Sequence, residues 1–439
     1  AISAGNVGIT QATLSGSAIT LGADSITLGA TNNISTPSVG INQLAISASG
    51  AVYLGADTIS ISAATLTPST APMAQITQEY ITAGSISAGA DLISLHADTF
   101  TGANFAQINQ EYLTAGSITL GSDTINLSGA LASTAGPVAQ INQAYLTAGS
   151  ITLANDTISL SAGTAGANVG ALAINQRQLS AQDITAGTNT IGISGSSSND
   201  SSALISQEYI TGTSTVVLGS NSIQISAVST IAMSDLPSLP IAQINQEYIT
   251  AGSLASGLNS ISVDPEHVYL GQNSVSETQS YLTATNVGLS GNSISIQGGD
   301  VTVGSLAIDQ AYITAKEGYS SESNSIHISS GSNFASDSVK IDQNYITAQS
   351  ANLGHNLVEV DVGNREITIG NLTSASLAIN QEYLTATNIT ATSNTVDVYA
   401  GISISESSVQ IKQDYLTASG AVSLGDNTIS VNALSLIHI

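Results

Sequence analysis

The sequence predicts an all-β, elongated β-solenoid, parallel β-helix-like, of about thirteen repeats about 33 residues long. Three observations predict it. An Ile-x-Gln start recurs along the whole chain, its Gln running from Gln11 through Gln43, Gln78, Gln110 and Gln143 to Gln413. An Asx follows each of these Gln after 13 or 14 residues: Asp24, Asp57, Asp91, Asp123 and Asp156, then Asn189, Asn221, Asn259, Asn292 and onward to Asn427. Between the two columns apolar residues alternate with polar ones, the signature of a strand with one buried face. The units begin near residues 9, 41, 76, 108, 141, 174, 205, 244, 277, 308, 341, 379 and 411 and form a single array over 1–433. The copy at Gln279 is the weakest, since no Ile stands two residues before it.

Within a unit the elements follow in order. The Ile-x-Gln-x-Tyr run is read as a strand, with a short helix as the alternative, because Tyr and Thr favour the pleated surface. Next comes an Ile-x-Leu strand such as Ile118/Leu120, then a Gly-x-Asx-Ser/Thr corner such as Gly121-Ser122-Asp123-Thr124, then a second strand such as Ile125/Leu127. Gly and Asx tolerate φ > 0, and Asx can bond its own backbone, so the corner is assigned to them. An antiparallel hairpin is the alternative reading of the strand–corner–strand element. The last stretch of each unit, from Asx to the next Gln, varies from 18 to 25 residues and is rich in Ala, Ser, Gly and Pro. It is read as a surface loop, the longest case being 227–240 with Pro237 and Pro240.

Stacking such units lines equivalent residues into ladders. The expected ladder residues are Gln78, Gln110 and Gln143, Tyr80, Tyr112 and Tyr145, and Asn221, Asn259 and Asn292. Ten units carry Tyr two residues after the Gln. The five successive Asp raise an electrostatic difficulty. With one rung per unit, neighbouring carboxylates would stand about 4.8 Å apart and repel by roughly 1 kcal/mol per pair even in water. Two rungs per unit, with equivalent Asp about 10 Å apart, is therefore the favoured spacing. A calcium ion bridging Asp24, Asp57, Asp91, Asp123 and Asp156 is the minority reading; otherwise no cofactor is expected.

Composition narrows the function classes. The net charge is −25, with only five Lys and Arg, so a nucleic-acid footprint cannot be assembled. There is no Cys, and no apolar run long enough for a membrane span. Aromatics are only 4%, too few for a bulky globular core but enough for a narrow one built from aliphatic rows. Both ends read as truncated, since the chain opens inside a unit without Met. Residues 434–439, Leu434-Ser435-Leu436-Ile437-His438-Ile439, break the pattern and match a translated sequencing adapter, which makes them a non-native tail.

Motifs that carry chemistry are sparse. No phosphate loop, nucleophile elbow or zinc signature is present, and the five His have no ligand spacing. Two carboxylate clusters, Asp264-Pro265-Glu266-His267 and Glu359 with Asp361, are read as solvated loop charge, with polysaccharide cleavage as the competing idea. Gly298-Gly299-Asp300 stands alone, without the nonapeptide period of a calcium repeat. The style of 117–129, Ser-Ile-Thr-Leu-Gly-Ser-Asp-Thr-Ile-Asn-Leu-Ser-Gly, resembles the stalk repeats of filamentous-haemagglutinin-like secreted adhesins. The Ile-Asn-Gln-Glu-Tyr-Ile-Thr-Ala-Gly-Ser-Leu style of 244–254 resembles repeats of phage tail fibres and tail-tip proteins. Either resemblance implies an extracellular, cell-surface or virion-tail location and carries no catalytic residues. The expectation is a structural or adhesive protein, not an enzyme, forming a rod-like stalk or a face for a surface glycan or neighbouring cell. A trimeric tail-fibre segment is the first alternative, and a polysaccharide-cleaving solenoid enzyme the second. Self-association or a homotrimer is the expected assembly, with no nucleic acid and no membrane span.

Overall fold

The repeats stack as a parallel β-solenoid. In the computed structural model the described residues are 6–35, 38–67, 72–101, 105–132, 137–162, 167–168, 171–199, 202–232, 241–269, 274–362, 376–400 and 408–433. Among them the structure is all β, without a helix, and the thirteen sequence copies give about 11 turns. The short-helix alternative for the Gln-Tyr run is thereby excluded. The chain divides into two compact units, Ala1–Gly219 and Ser220–Ile439.

One copy shows the build. The strand Ala106–Leu120 carries the Gln, the Tyr and the first apolar pair, and Thr124–Ala132 carries the second pair. Side chains of Ala106, Ile108, Gln110, Leu113, Ile118, Leu120, Asp123, Ile125 and Leu127 are buried. Parallel pairing sets Ile108 on Ile141, Gln110 on Gln143, Ile118 on Ile151 and Leu120 on Leu153. The second strand sets Ile125 on Ile158 and Leu127 on Leu160. Aliphatic side chains therefore stack on their own kind from turn to turn, and these rows are the core. In the second unit the same register joins Gln310 to Gln343 and Asn292 to Asn324.

This pairing corrects two expectations. Every described ladder is parallel and joins one copy to the next, so the hairpin alternative fails. Each copy supplies one rung, not two, and equivalent residues sit at the strand spacing of about 4.8 Å. The two-rung spacing rested on avoiding carboxylate repulsion; the molecule meets that repulsion in another way, described below.

The corners also differ from expectation. Positive φ falls on the Tyr position: Thr13, Ala45, Gln178 and all ten Tyr have φ between 52° and 57°. The left-handed residue bends one continuous strand inward, which is why Ala106–Leu120 turns without a loop. At the Gly-x-Asx corner the glycine serves close approach instead. A Cβ on Gly121 would overlap the carbonyl of Gly89 one rung away. The Asx there bonds the neighbouring rung and not its own backbone: Asp57 Oδ1 accepts from the Asp24 N–H at 2.9 Å, and Asp91 Oδ1 from the Asp57 N–H at 2.9 Å.

Candidate functional site

Three arrangements are candidates: two polar columns inside, a row of rings outside, and two recesses on the outer faces. The inner columns come first because they hold the rest in register. Gln110 Nε2 donates to Gln78 Oε1 at 3.0 Å, Gln143 to Gln110 at 3.0 Å, and Gln176 to Gln143 at 3.0 Å. In the second unit each Asn donates one N–H to the Asn of the following rung, as Asn259 Nδ2 to Asn292 Oδ1 at 3.0 Å. Its other N–H goes to the Gln of its own rung, as Asn292 to Gln279 Oε1 at 3.0 Å. The Gln and Asx side chains meet across the interior. That contact is the reason for their constant separation in sequence, while the rest of the unit is free to vary.

In the first unit the same column is made of acids from Asp24 to Asp156, with Asn189 after them. Asp57, Asp91, Asp123 and Asp156 are buried, and Asp24 is partly so. Oδ1 of Asp57, Asp91, Asp123 and Asp156 each accepts the backbone N–H of the preceding Asp, but Oδ2 of Asp24, Asp57, Asp91 and Asp123 is buried without a partner. Burial pushes the Asp57 carboxyl up to about 6 and the Asp156 carboxyl up to about 7. Burial, with the Asp156 and Asp91 charges beside it, raises Asp123 well above the usual carboxylate range; burial raises Asp91 likewise. Burial and the neighbouring carboxyls thus favour the protonated form, which lessens the repulsion along the stack as pH falls. Because Oδ1 of Asp57, Asp91, Asp123 and Asp156 is taken up by backbone N–H groups, a cation at this column would meet the Oδ2 row alone. Among the described residues no three His, Asp or Glu converge to hold a metal.

The second unit carries a buried acid in an aliphatic row. Glu277 occupies the Ile place of the weak copy, paired with Ile244 and Ile308 on either side. It is buried, and burial pushes it up to about 8.

Outside, the left-handed corner points the Tyr side chain into solvent. The ten rings are 40% to 58% exposed, which leaves room for a ligand along their edges. They stack nearly parallel on the next rung: Tyr80 on Tyr112 at 4.9 Å, Tyr112 on Tyr145 at 4.5 Å, and Tyr345 on Tyr383 at 4.8 Å. Stacking covers ring faces, so the row presents edges and phenol hydroxyls at the rung spacing. Gln178 interrupts the row in the first unit. A recess of about 300 Å³ opens there, bordered by Tyr145 and Tyr209.

The second recess, of about 310 Å³, is lined by Glu359, Val360, Asp361, Asp397 and Tyr399. The sequence places Glu359 and Asp361 in a drifting loop; the structure puts both on the strand Asn356–Val362. Register adds Asp397 beside Glu359 and Tyr399 beside Asp361. His327 Nδ1 lies 3.0 Å from Glu359 Oε2. Asp264 is exposed on the strand Asn259–Tyr269, while the side chains of Pro265, Glu266 and His267 lie outside the described residues. Residues 233–240 of the long loop and the tail 434–439 also lie outside them; 227–232 continue the strand Asn221–Ala232, a correction to the reading of 227–240 as loop throughout.

The sequence reading missed the break at Gln178, the buried Glu277 and the partners Asp397 and Tyr399. The first two were legible as departures from a column; the last pair needed the register. No helix of the described residues is long and apolar enough to cross a membrane. No family model, curated protein or solved structure matches the chain.

Proposed function

We propose that the chain is a structural and adhesive repeat segment of an extracellular or cell-surface protein. It presents a periodic face to a surface glycan or a neighbouring cell. The observation that carries this reading is the exposed tyrosine row. A left-handed Tyr costs of order 1 kcal/mol relative to Gly at such a corner, yet ten of thirteen copies use Tyr. The ring stack recovers part of that cost. It also produces a ladder of phenol hydroxyls about 4.8 Å apart, a pattern suited to a repetitive polar partner. The strongly acidic chain is compatible with solubility and weak non-specific binding.

The test uses the immobilised 439-residue chain, offered whole bacterial and animal cells and films of neutral and acidic polysaccharide. Retention above a β-solenoid lacking surface Tyr is expected, with loss when Tyr281, Tyr312, Tyr345 and Tyr383 are replaced by Ser. Equal retention of the Ser variant, or none on any surface, overturns the adhesive reading.

A further inference from the structure

The break in the tyrosine row has the makings of a binding site. In the strand Ala171–Ala186, Arg177 and Gln178 stand where the preceding and following rungs carry Ala144-Tyr145 and Glu208-Tyr209. Gln178 keeps the corner conformation, with φ 54°, so the backbone there is the same as under a Tyr. What changes is the surface. Tyr145 stacks on Tyr112 at 4.5 Å on one side, while the rung on its other side supplies an amide instead of a ring. Tyr145 and Tyr209 therefore border the recess two rungs apart, about 9.6 Å. Along the stacked stretches a ligand meets ring edges; here, as at the ends of the row, it meets a ring face.

That width selects a ligand. Carbon atoms pack against one another at about 3.5–4.0 Å. A saturated six-membered ring lying between two aromatic faces needs roughly 7–8 Å, which the break supplies once the exposed Gln178 side chain swings outward. The recess volume, about 300 Å³, holds one sugar with some of its water. Its floor is polar on both sides of the hydrogen-bond ledger. Asn175 Nδ2 donates to Asn142 Oδ1 at 2.8 Å, leaving the second N–H of each amide for a ligand hydroxyl. The Arg177 guanidinium is steadied by Ser206, with Nε to Oγ at 3.0 Å, and by Glu208 at 3.6 Å, and its side chain remains 40% exposed. Glu111 adds an acceptor at the rim. A sugar hydroxyl both donates and accepts, and so uses such a mixed set. Charge argues against an acidic sugar: one Arg faces Glu111 and Glu208 on a chain of net charge −25.

We propose that the recess at Gln178 binds one neutral pyranose unit of a glycan, stacked on Tyr145 and hydrogen-bonded by Asn142, Asn175 and Arg177. The proposal rests on the adhesive reading above and assigns it a ligand class and a place. A single sugar site of this kind is weak, with a Kd on the order of 1 mM.

The test is ligand-observed NMR titration of the full chain with cellotetraose, maltotetraose, mannotetraose and chitotetraose, with tetragalacturonate as the acidic comparison. At least one neutral tetrasaccharide is expected to bind near 1 mM. Gln178→Tyr fills the recess with the side chain neighbouring rungs already carry, so it should fold, with a melting temperature no lower than wild type. It should weaken sugar binding at least about tenfold, and Arg177→Ala should weaken it by a comparable factor. Absence of binding by all four neutral sugars, binding of tetragalacturonate alone, or undiminished binding by Gln178→Tyr overturns the proposal. The two readings separate cleanly. Cell retention without tetrasaccharide binding removes the recess and leaves adhesion; sugar binding lost in Gln178→Tyr without cell retention does the reverse.

Discussion

At the scale of single residues, the same inward position is filled by two chemistries, one indifferent to pH and one sensitive to it. Asn is neutral at every ordinary pH. The buried Asp57 and Asp156 carboxyls titrate near 6 and 7, above the unfolded value of about 4. The folded state therefore holds protons that the unfolded chain releases. Their contribution is full below about pH 4 and is lost as pH rises through 6 and 7. Asp57→Asn should raise the melting temperature at pH 8 by the equivalent of about 1–3 kcal/mol and change it little at pH 4; calorimetry at the two pH values checks this. Glu277 follows the same sign with a higher midpoint, near 8. Glu277→Ile restores the aliphatic row between Ile244 and Ile308, and should stabilise more at pH 9 than at pH 6, read by denaturant unfolding at each pH.

At the scale of the element, the first strand of each rung is bent by a left-handed residue, Tyr in ten copies. Replacing Tyr112 by Ala keeps the unfavourable φ and removes two ring contacts, each worth about 0.5–1.5 kcal/mol beyond area. A loss of about 1–2 kcal/mol is expected for this half-exposed site. Tyr112→Gly removes the rings but relieves the backbone, so it should cost less than the Ala variant, the reverse of the usual order in a strand; paired denaturation curves decide. This bend explains what was legible and what was not. Alternation at Ile118/Leu120 and Ile125/Leu127 marked the strands, and near-identical copies marked the in-register stack. The number of rungs per copy was hidden, because a bend without Gly or Pro looks like uninterrupted strand. Positive φ on Tyr80 or Tyr112 has no composition signal. The Gln–Asx contact was half legible: its fixed separation showed a constraint, while the interior meeting of the two side chains appeared only in three dimensions. Gln178 stood in plain view as a missing Tyr, and its meaning depended on the rings that flank it.

At the scale of the whole molecule, stability is a sum over neighbouring turns. Ile125 is fully buried between Ile93 and Ile158. Ile125→Asp places an unpaired charge there at a cost of several kcal/mol, and hydrogen exchange should accelerate in 92–160 while 274–362 keep their protection. A uniform rise across both units would show that the turns do not act as near neighbours. The pH argument has a regional consequence as well. Raising pH from 5 to 8 should speed exchange more in 57–156, around the acid column, than in 324–394, around the amide column.

The donor directions of the two amide columns in the second unit have a consequence for how the chain finds its alignment. Asn donates toward later rungs, Asn324 to Asn356 and Asn356 to Asn394, while Gln donates toward earlier ones, Gln343 to Gln310 and Gln381 to Gln343. The two hydrogen-bond chains run in opposite senses, so their dipoles oppose and no side-chain field accumulates along the stack. They also work as a check against slippage. A parallel strand can slide by two residues and keep its apolar face inward, and rows of Ile and Leu alone would tolerate the error. Sliding here would set Gln343 beside Ile308 and break a forward and a backward chain together, stranding buried amides at about 1–3 kcal/mol each. The polar interior thus supplies what an aliphatic core lacks: a means of telling the correct neighbour from one two residues out of step.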